Sequence, residues 1–299
     1  MQMKKKTLVG CLSAVCCETL YGLSYLFTKT ATGSAGELQL LGWRFAAALL
    51  FFTLLRAGGV IHIDLKGKPV WPLVRAAILC PGVYFFCEVY GISLTTAAES
   101  GTMLASIPMV SMLLSSVMLK KRPTLMQKVG APITLMGVVM SAVSAGMSVR
   151  FSPLGYLLLM GGVLVYALYS VYVERAEGYS GAELTYAMLL CAAVVYVPAA
   201  IIEVAIHGTL GELVRLPFVN GGFALTVVCQ GLGCSVLAFF LGNVAISTLG
   251  VNRTASFIGI STLVSIVAGV LVLGEPFTLL QGVGAVLIVL GVTVANTRT

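Results

Sequence analysis

Apolar residues along this chain come in long unbroken runs, not in the alternating or one-faced patterns of soluble elements. Ten segments, about 7–28, 38–56, 72–94, 97–119, 125–145, 153–173, 183–206, 218–245, 251–273 and 277–296, each approach the ~20 residues a helix needs to cross a bilayer. Polar breaks separate them: "AGGVIHIDLKGKPVW" at 57–71, "ERAEGYSGA" at 174–182 and "HGTLGELVRLP" at 207–217. The turns at 95–99 and 248–252 are very short, which predicts antiparallel hairpins on either side of each. Strand-type alternation is absent from the sequence, against a β-barrel. The fold class is therefore all-α integral membrane, with ten transmembrane helices and almost nothing outside them.

The pattern also repeats. Residues 92–140 align without a gap onto 246–294, matching Ile92 with Ile246, Val110 with Val264, Ser111 with Ser265, Gln127 with Gln281 and Gly130 with Gly284. Gly10 and Tyr21 fall in step with Gly155 and Tyr166. The spans divide into two five-helix repeats, 1–146 and 147–299, with Pro153 suited to the first turn of the sixth helix. Five is an odd number, so the second repeat starts on the other side and is inverted. Two inverted copies in a membrane commonly work by alternating access around a site between them. Transport ranks ahead of catalysis.

Composition supports the same solvent. Of 299 residues, 59% are apolar and 10% charged, against roughly 25% charged in a soluble domain. Orientation follows from lysine and arginine: with the N-terminus cytoplasmic, fourteen lie at inside ends and loops, and only Lys29, Arg150 and Arg215 outside. The net charge of +7 is then a positive-inside signature, with no nucleic-acid partner implied. A multi-pass protein of the plasma (inner) membrane with both termini cytoplasmic is expected. Lys4, Lys5 and Lys6 ahead of "LVGC" look like a signal sequence, but Thr7 alone separates them, so 7–28 reads as an uncleaved helix. The eight cysteines all fall inside spans with no C-x-x-C pair, and read as small apolar packers.

Small residues mark packing faces. Gly130 and Gly137 lie seven residues apart in the fifth span, as do Gly284 and Gly291 in the tenth. In lipid, such stripes let helix backbones approach closely. The fifth and tenth helices are thus expected to be structural, against each other or against a partner chain, and either a monomer or a homodimer fits. Pro81, Pro108, Pro132 and Pro198 sit within spans, where each frees a carbonyl and favours a kink. A bent helix at Pro108 would suit a cavity wall.

The first span ends "YGLSYLFTK", the second carries "WRFAAALL", and "MLKKRPT" and "VLGEPFT" follow the fourth and ninth spans. With the ten-helix inverted repeat, this ordered combination resembles the EamA-type branch of the drug/metabolite transporter superfamily over nearly the whole chain. The resemblance implies a secondary carrier of small metabolites, often an amino-acid, amine or drug exporter. It implies a central cavity lined by helices 1–4 and 6–9, with helices 5 and 10 peripheral. The chain departs from the pattern at Lys121, where the second half has Glu275, and at Tyr21, where the first helix often has tryptophan. Both positions are structural or interfacial in the family reading.

Glu18 is the sharpest chemical candidate. It lies near the middle of the first span, where an unpaired ionised carboxylate costs several kcal/mol. It must be protonated, pair with a basic residue, or face a wet cavity and meet a cation; a group so placed can exchange a proton for substrate. The four-helix small multidrug exporters, a related branch, carry a first-helix glutamate with that role, though Glu18 lies one turn deeper. Arg44, Glu88 and Glu99 fall in the outer half of the second, third and fourth spans, as gating or ion-pair residues, with Glu88 a substrate-binding candidate as well, and an Arg44–Glu88 pair would lower the burial cost of both. Because "WRFAAALL" is typical of the family whatever the substrate, Arg44 reads as structural or gating ahead of ligand. Tyr21, Tyr84, Tyr166 and Tyr169 offer flat apolar faces with one hydrogen bond each, suited to aromatic or cationic solutes, and mid-span Gln230 needs a polar partner that a cavity can supply.

Enzyme readings have little to build on. The only histidines, His62 and His207, fall in loops, and no G-x-x-x-x-G-K-[ST] loop is present. No metal or cofactor is expected, and no charged pore ring marks a channel. The sequence thus points to a transporter of small polar metabolites, an amino-acid or amine exporter with possible proton coupling at Glu18. An importer of a cationic nutrient such as a quaternary amine, and a non-transporting receptor or scaffold, are the alternatives.

Overall fold

The structure is a computed structural model that describes residues 2–31, 35–94, 103–104, 106–144, 152–206, 210–273 and 278–297. All regular structure in these residues is helical. Eight helices are long and apolar enough to cross a membrane, and the shorter apolar helices Ile107–Met118 and Leu125–Met140 occupy the fourth and fifth expected spans. The protein is a multi-pass membrane protein.

The first part of the chain forms α1 (Gln2–Ala31), α2 (Glu37–Ala57), α3 (Trp71–Ala77), a π-helical stretch (Ile78–Val83), α4 (Tyr84–Ser93), α5 (Ile107–Met118) and α6 (Leu125–Ser144). The second forms α7 (Pro153–Arg175), α8 (Gly181–Ile206), α9 (Leu210–Val219), α10 (Gly221–Val228), a second π-helical stretch (Cys229–Ala238), α11 (Phe239–Leu249), α12 (Val251–Ala255), α13 (Gly259–Leu273) and α14 (Leu279–Asn296). Three differences from the sequence reading stand out. The 207–217 connection is largely helical, as α9, and the Trp43 indole N–H donates to its Leu213 carbonyl at 3.0 Å. The ninth expected span is broken by a turn at 256–258 between α12 and α13. Pro108 sits in the first turn of α5, where a missing N–H costs nothing, and bends no helix there.

Pro81 does distort its helix. Clash with the proline ring disfavours helical dihedrals in the preceding residue, and Cys80 is extended (φ −135°, ψ 120°) inside the π-helical stretch. The Tyr196 hydroxyl compensates by donating to the Gly82 carbonyl at 2.8 Å. The 248–252 turn is tight because Gly250 takes a positive φ of 82°, which favours glycine.

The glycine stripes meet as expected. α6 and α14 pack directly on one another: a Cβ at Gly130 would lie 2.5 Å from the Gly291 carbonyl oxygen, and one at Gly137 2.6 Å from that of Gly284. Ala14 of α1, Val138 of α6, Phe257 of the α12–α13 turn and Ile288 of α14 form a small core that anchors this pair to the rest. A larger core joins Phe45 and Phe52 of α2, Leu73 of α3, Val173 of α7, Leu184 and Met188 of α8, and Ile246 of α11. It fills the half of the molecule nearer the lysine- and arginine-rich loops.

Candidate functional site: a cavity between the two halves

Above that core lies a cavity of about 170 Å³ with walls from both halves. The first half contributes α1, α2, the first π-helical stretch, α4 and α5; the second contributes α7, the second π-helical stretch, α11 and residues around the α12–α13 turn. It reaches the surface where α2 begins, at exposed Glu37.

Seven of the residues singled out in the sequence line this cavity: Glu18, Tyr21, Arg44, Tyr84, Glu88, Tyr166 and Gln230. Glu18 comes from mid-α1, is only 6% exposed, and hydrogen-bonds Ser261 of α13. The Ser261 hydroxyl also donates to the Ile258 carbonyl at 2.6 Å, inside the turn that breaks the ninth span. Tyr84 and Tyr166 meet with ring centroids 5.2 Å apart, and the Tyr84 hydroxyl donates to Glu88 Oε1 at 2.8 Å, one helical turn on. Gln230 donates through Nε2 to the Ser24 carbonyl of α1 at 3.2 Å and accepts from Arg44 Nη1 at 3.5 Å.

Two expectations are answered differently. The direct Arg44–Glu88 ion pair is not formed: Arg44 Nε donates to Ser235 Oγ at 2.7 Å, while Glu88 is held by Tyr84. Tyr169 does not face the cavity. It lies three residues beyond Tyr166, roughly 60° around the helix, and its hydroxyl donates to Asn243 Oδ1 at 2.7 Å in a buried layer with Thr185. Glu99 lies outside the described residues. The sequence reading also missed Glu37, Phe85 and Ser261. Glu37 stands in the first turn of α2, and Ser261 carries no sequence signal at all.

The opposite end of the molecule is shut by bonds between the halves. Lys68 Nζ lies 2.9 Å from Glu183 Oε1. Glu174 pairs with Lys121 and accepts from the Val251 amide at 2.6 Å. Arg175 donates to the Met118 carbonyl, and the Tyr179 hydroxyl to that of Pro69. Lys121, the departure from the family pattern, is thus half of an inter-half ion pair.

Two matches of one family model, EamA-like transporter family, cover residues 8–143 and 153–297. The chain belongs to the EamA-like transporter family. Among curated relatives in it, the chain is 30% identical over 287 residues to the uncharacterized transporter YcxC of Bacillus subtilis (strain 168), covering 95% of this chain and 92% of that one. It is 24% identical over 285 residues to the uncharacterized transporter YyaM of the same organism, covering 92% and 89%. A solved crystal structure of a protein, 21% identical, shares the fold with a TM-score of 0.77 over 98% of this chain and 96% of the other. A transporter role follows from EamA membership.

Proposed function

We propose that this EamA-family protein is a secondary active carrier of small polar metabolites, an exporter of amino acids or amines, working by alternating access. In this reading ten spans form two inverted bundles, 1–146 and 147–299, in the plasma membrane with both termini cytoplasmic. The bundles rock about the cavity, and Glu18 exchanges a proton as the solute leaves. The observation that carries the reading is a cavity walled by both halves, with exposed Glu37 in its lining, while the Lys68–Glu183 and Lys121–Glu174 pairs join the halves elsewhere. A carrier has to make and break such contacts in turn.

A second reading, uptake of a cationic nutrient with Glu18 as counter-ion, draws on the three carboxylates of the lining, Glu18, Glu37 and Glu88. Solute counterflow in proteoliposomes loaded with a panel of amino acids and amines tests both, comparing wild type with Glu18→Gln at two pH values. Exchange that persists in the variant while proton-driven uptake vanishes supports proton coupling. Loss of exchange for cationic solutes alone supports the counter-ion role. Binding without sustained flux, in folded protein with tracer retained, would make the protein a receptor and remove the carrier reading.

A further inference from the structure

Glu18 and Ser261 meet where two helices touch backbone to backbone. A Cβ on Gly22, one turn beyond Glu18 in α1, would lie 2.5 Å from the Ser261 carbonyl oxygen and 2.6 Å from Val264 Cβ of α13. With the backbones that close, the short side chain of Ser261 reaches the Glu18 carboxyl and hydrogen-bonds it. Both residues line the cavity, and both are buried, at 6% and 8% exposed.

A serine hydroxyl has one hydrogen to give and two lone pairs to receive with. Ser261 Oγ lies 2.6 Å from the Ile258 carbonyl oxygen, and a carbonyl only accepts, so the serine is the donor in that bond. Its one hydrogen is then spent. The bond to Glu18 has to run the other way, from a carboxylic acid O–H to Ser261 Oγ, and that requires a protonated Glu18. An ionised Glu18 reverses the preference. A carboxylate offers no hydrogen, and a hydrogen bond to it is roughly twice as strong as one between neutral groups. The Ser261 hydrogen then belongs on Glu18. Ile258, in the turn between α12 and α13, is left with the bond from the Ser261 amide at 3.1 Å.

The surroundings of Glu18 supply little else that could follow its charge. Cys17 and Tyr21 accompany it on α1, and Tyr166 lies within electrostatic reach on α7. The second π-helical stretch brings Cys234 near Cys17. The helices α10, α11 and α13, which also pack on α1, carry no ionisable side chain. Of the charged residues that share the lining, Arg44 acts on Glu88, and Glu37 stands where the cavity meets the surface.

We propose that Ser261 is the positioning residue for the Glu18 proton: its hydroxyl accepts from the carboxylic acid while donating to the Ile258 carbonyl, and turns to donate to the carboxylate once the proton has left. The proton lost is Glu18's own, passed to water in the cavity; the serine keeps its hydrogen throughout. The break in the ninth span is thereby bonded differently in the two charge states of Glu18, which ties proton release to the cavity wall. The inference rests on the reading of Glu18 as the proton-exchanging group.

The test is pH-difference infrared spectroscopy on the purified full chain, with Glu18→Gln assigning the Glu18 bands. In wild type an acid C=O band at low pH should give way to carboxylate bands at high pH, all of them missing from Glu18→Gln. In Ser261→Ala both sets are expected to move, the acid band to higher frequency as its hydrogen bond is lost. Ser261→Cys, close in size but a weak donor and acceptor, should move them in the same sense and serves if the alanine variant does not fold. Movement of one set alone, or of neither, overturns the inference and leaves proton exchange at Glu18 standing. Wild-type Glu18 bands that do not change with pH overturn the inference and the proton reading together.

Discussion

Glu183 and Lys68 are joined across the two halves at 2.9 Å, but the two residues are not equal partners in the bond. Glu183 is buried; it also accepts from the Ser180 amide at 2.8 Å and the Asp64 amide at 3.2 Å. Lys68 keeps a third of its side chain in solvent, and among the described residues its ammonium hydrogen-bonds only Glu183. Removing the lysine therefore deletes a partly exposed ion pair, and removing the glutamate orphans two backbone donors as well.

Lys68→Ala is expected to destabilise the protein by less than about 1 kcal/mol, and Glu183→Ala by about 1–3 kcal/mol. Thermal unfolding of the two variants in detergent, with the double variant to close the cycle, measures the difference. Equal effects would show that the carboxylate's backbone bonds contribute nothing.

Tyr169 of α7 and Tyr84 of α4 should separate cleanly. Tyr169→Phe leaves Asn243 Oδ1 without its donor and should lower stability by about 1–3 kcal/mol while solute affinity stays within twofold of wild type. Tyr84→Phe frees Glu88, and the reverse pattern is expected: little change in unfolding temperature and weaker binding of ammonium-bearing solutes. A binding series on both variants decides it, and loss of affinity in Tyr169→Phe would return that residue to the cavity wall.

The α6–α14 contact has no room for a side chain. Gly130→Val is expected to cost about 1–3 kcal/mol or more through overpacking, since a Cβ there would already meet the Ala295 amide nitrogen at 2.5 Å. Cavity binding, measured on the fraction that stays folded, is expected to be unchanged, because neither α6 nor α14 lines the cavity. A change in solute selectivity would contradict the purely structural role of this pair.

The position of the helices was legible because lipid demands long apolar runs, and the α6–α14 contact was legible because close packing in lipid demands small residues at a fixed spacing. Glu18, Arg44 and Glu88 were legible for a related reason: charge inside an apolar run calls for an explanation. What each charge faces was not. Glu88 chose a tyrosine one turn away over Arg44, a matter of side-chain reach and helix rotation that no single-sequence pattern encodes. Tyr166 and Tyr169 read alike in the sequence, and only the direction of α7 relative to its neighbours sends one to the cavity and the other to Asn243. Glu37 and Ser261 gained their places from tertiary structure alone.

Two of the helices that wall the cavity abandon regular α geometry where they line it, at Ile78–Val83 and at Cys229–Ala238. A regular helix moves as a rod, and its carbonyls are all spoken for. Where the winding is looser, a segment can gain or shed part of a turn with few bonds exchanged, and a polar group such as Gln230 can be carried a short way without tilting the whole helix. The same backbone that lines the cavity is thus free of the constraint of regular α winding. Substitutions that regularise these stretches, Pro81→Ala first among them, should yield a protein that is harder to unfold and slower to turn over.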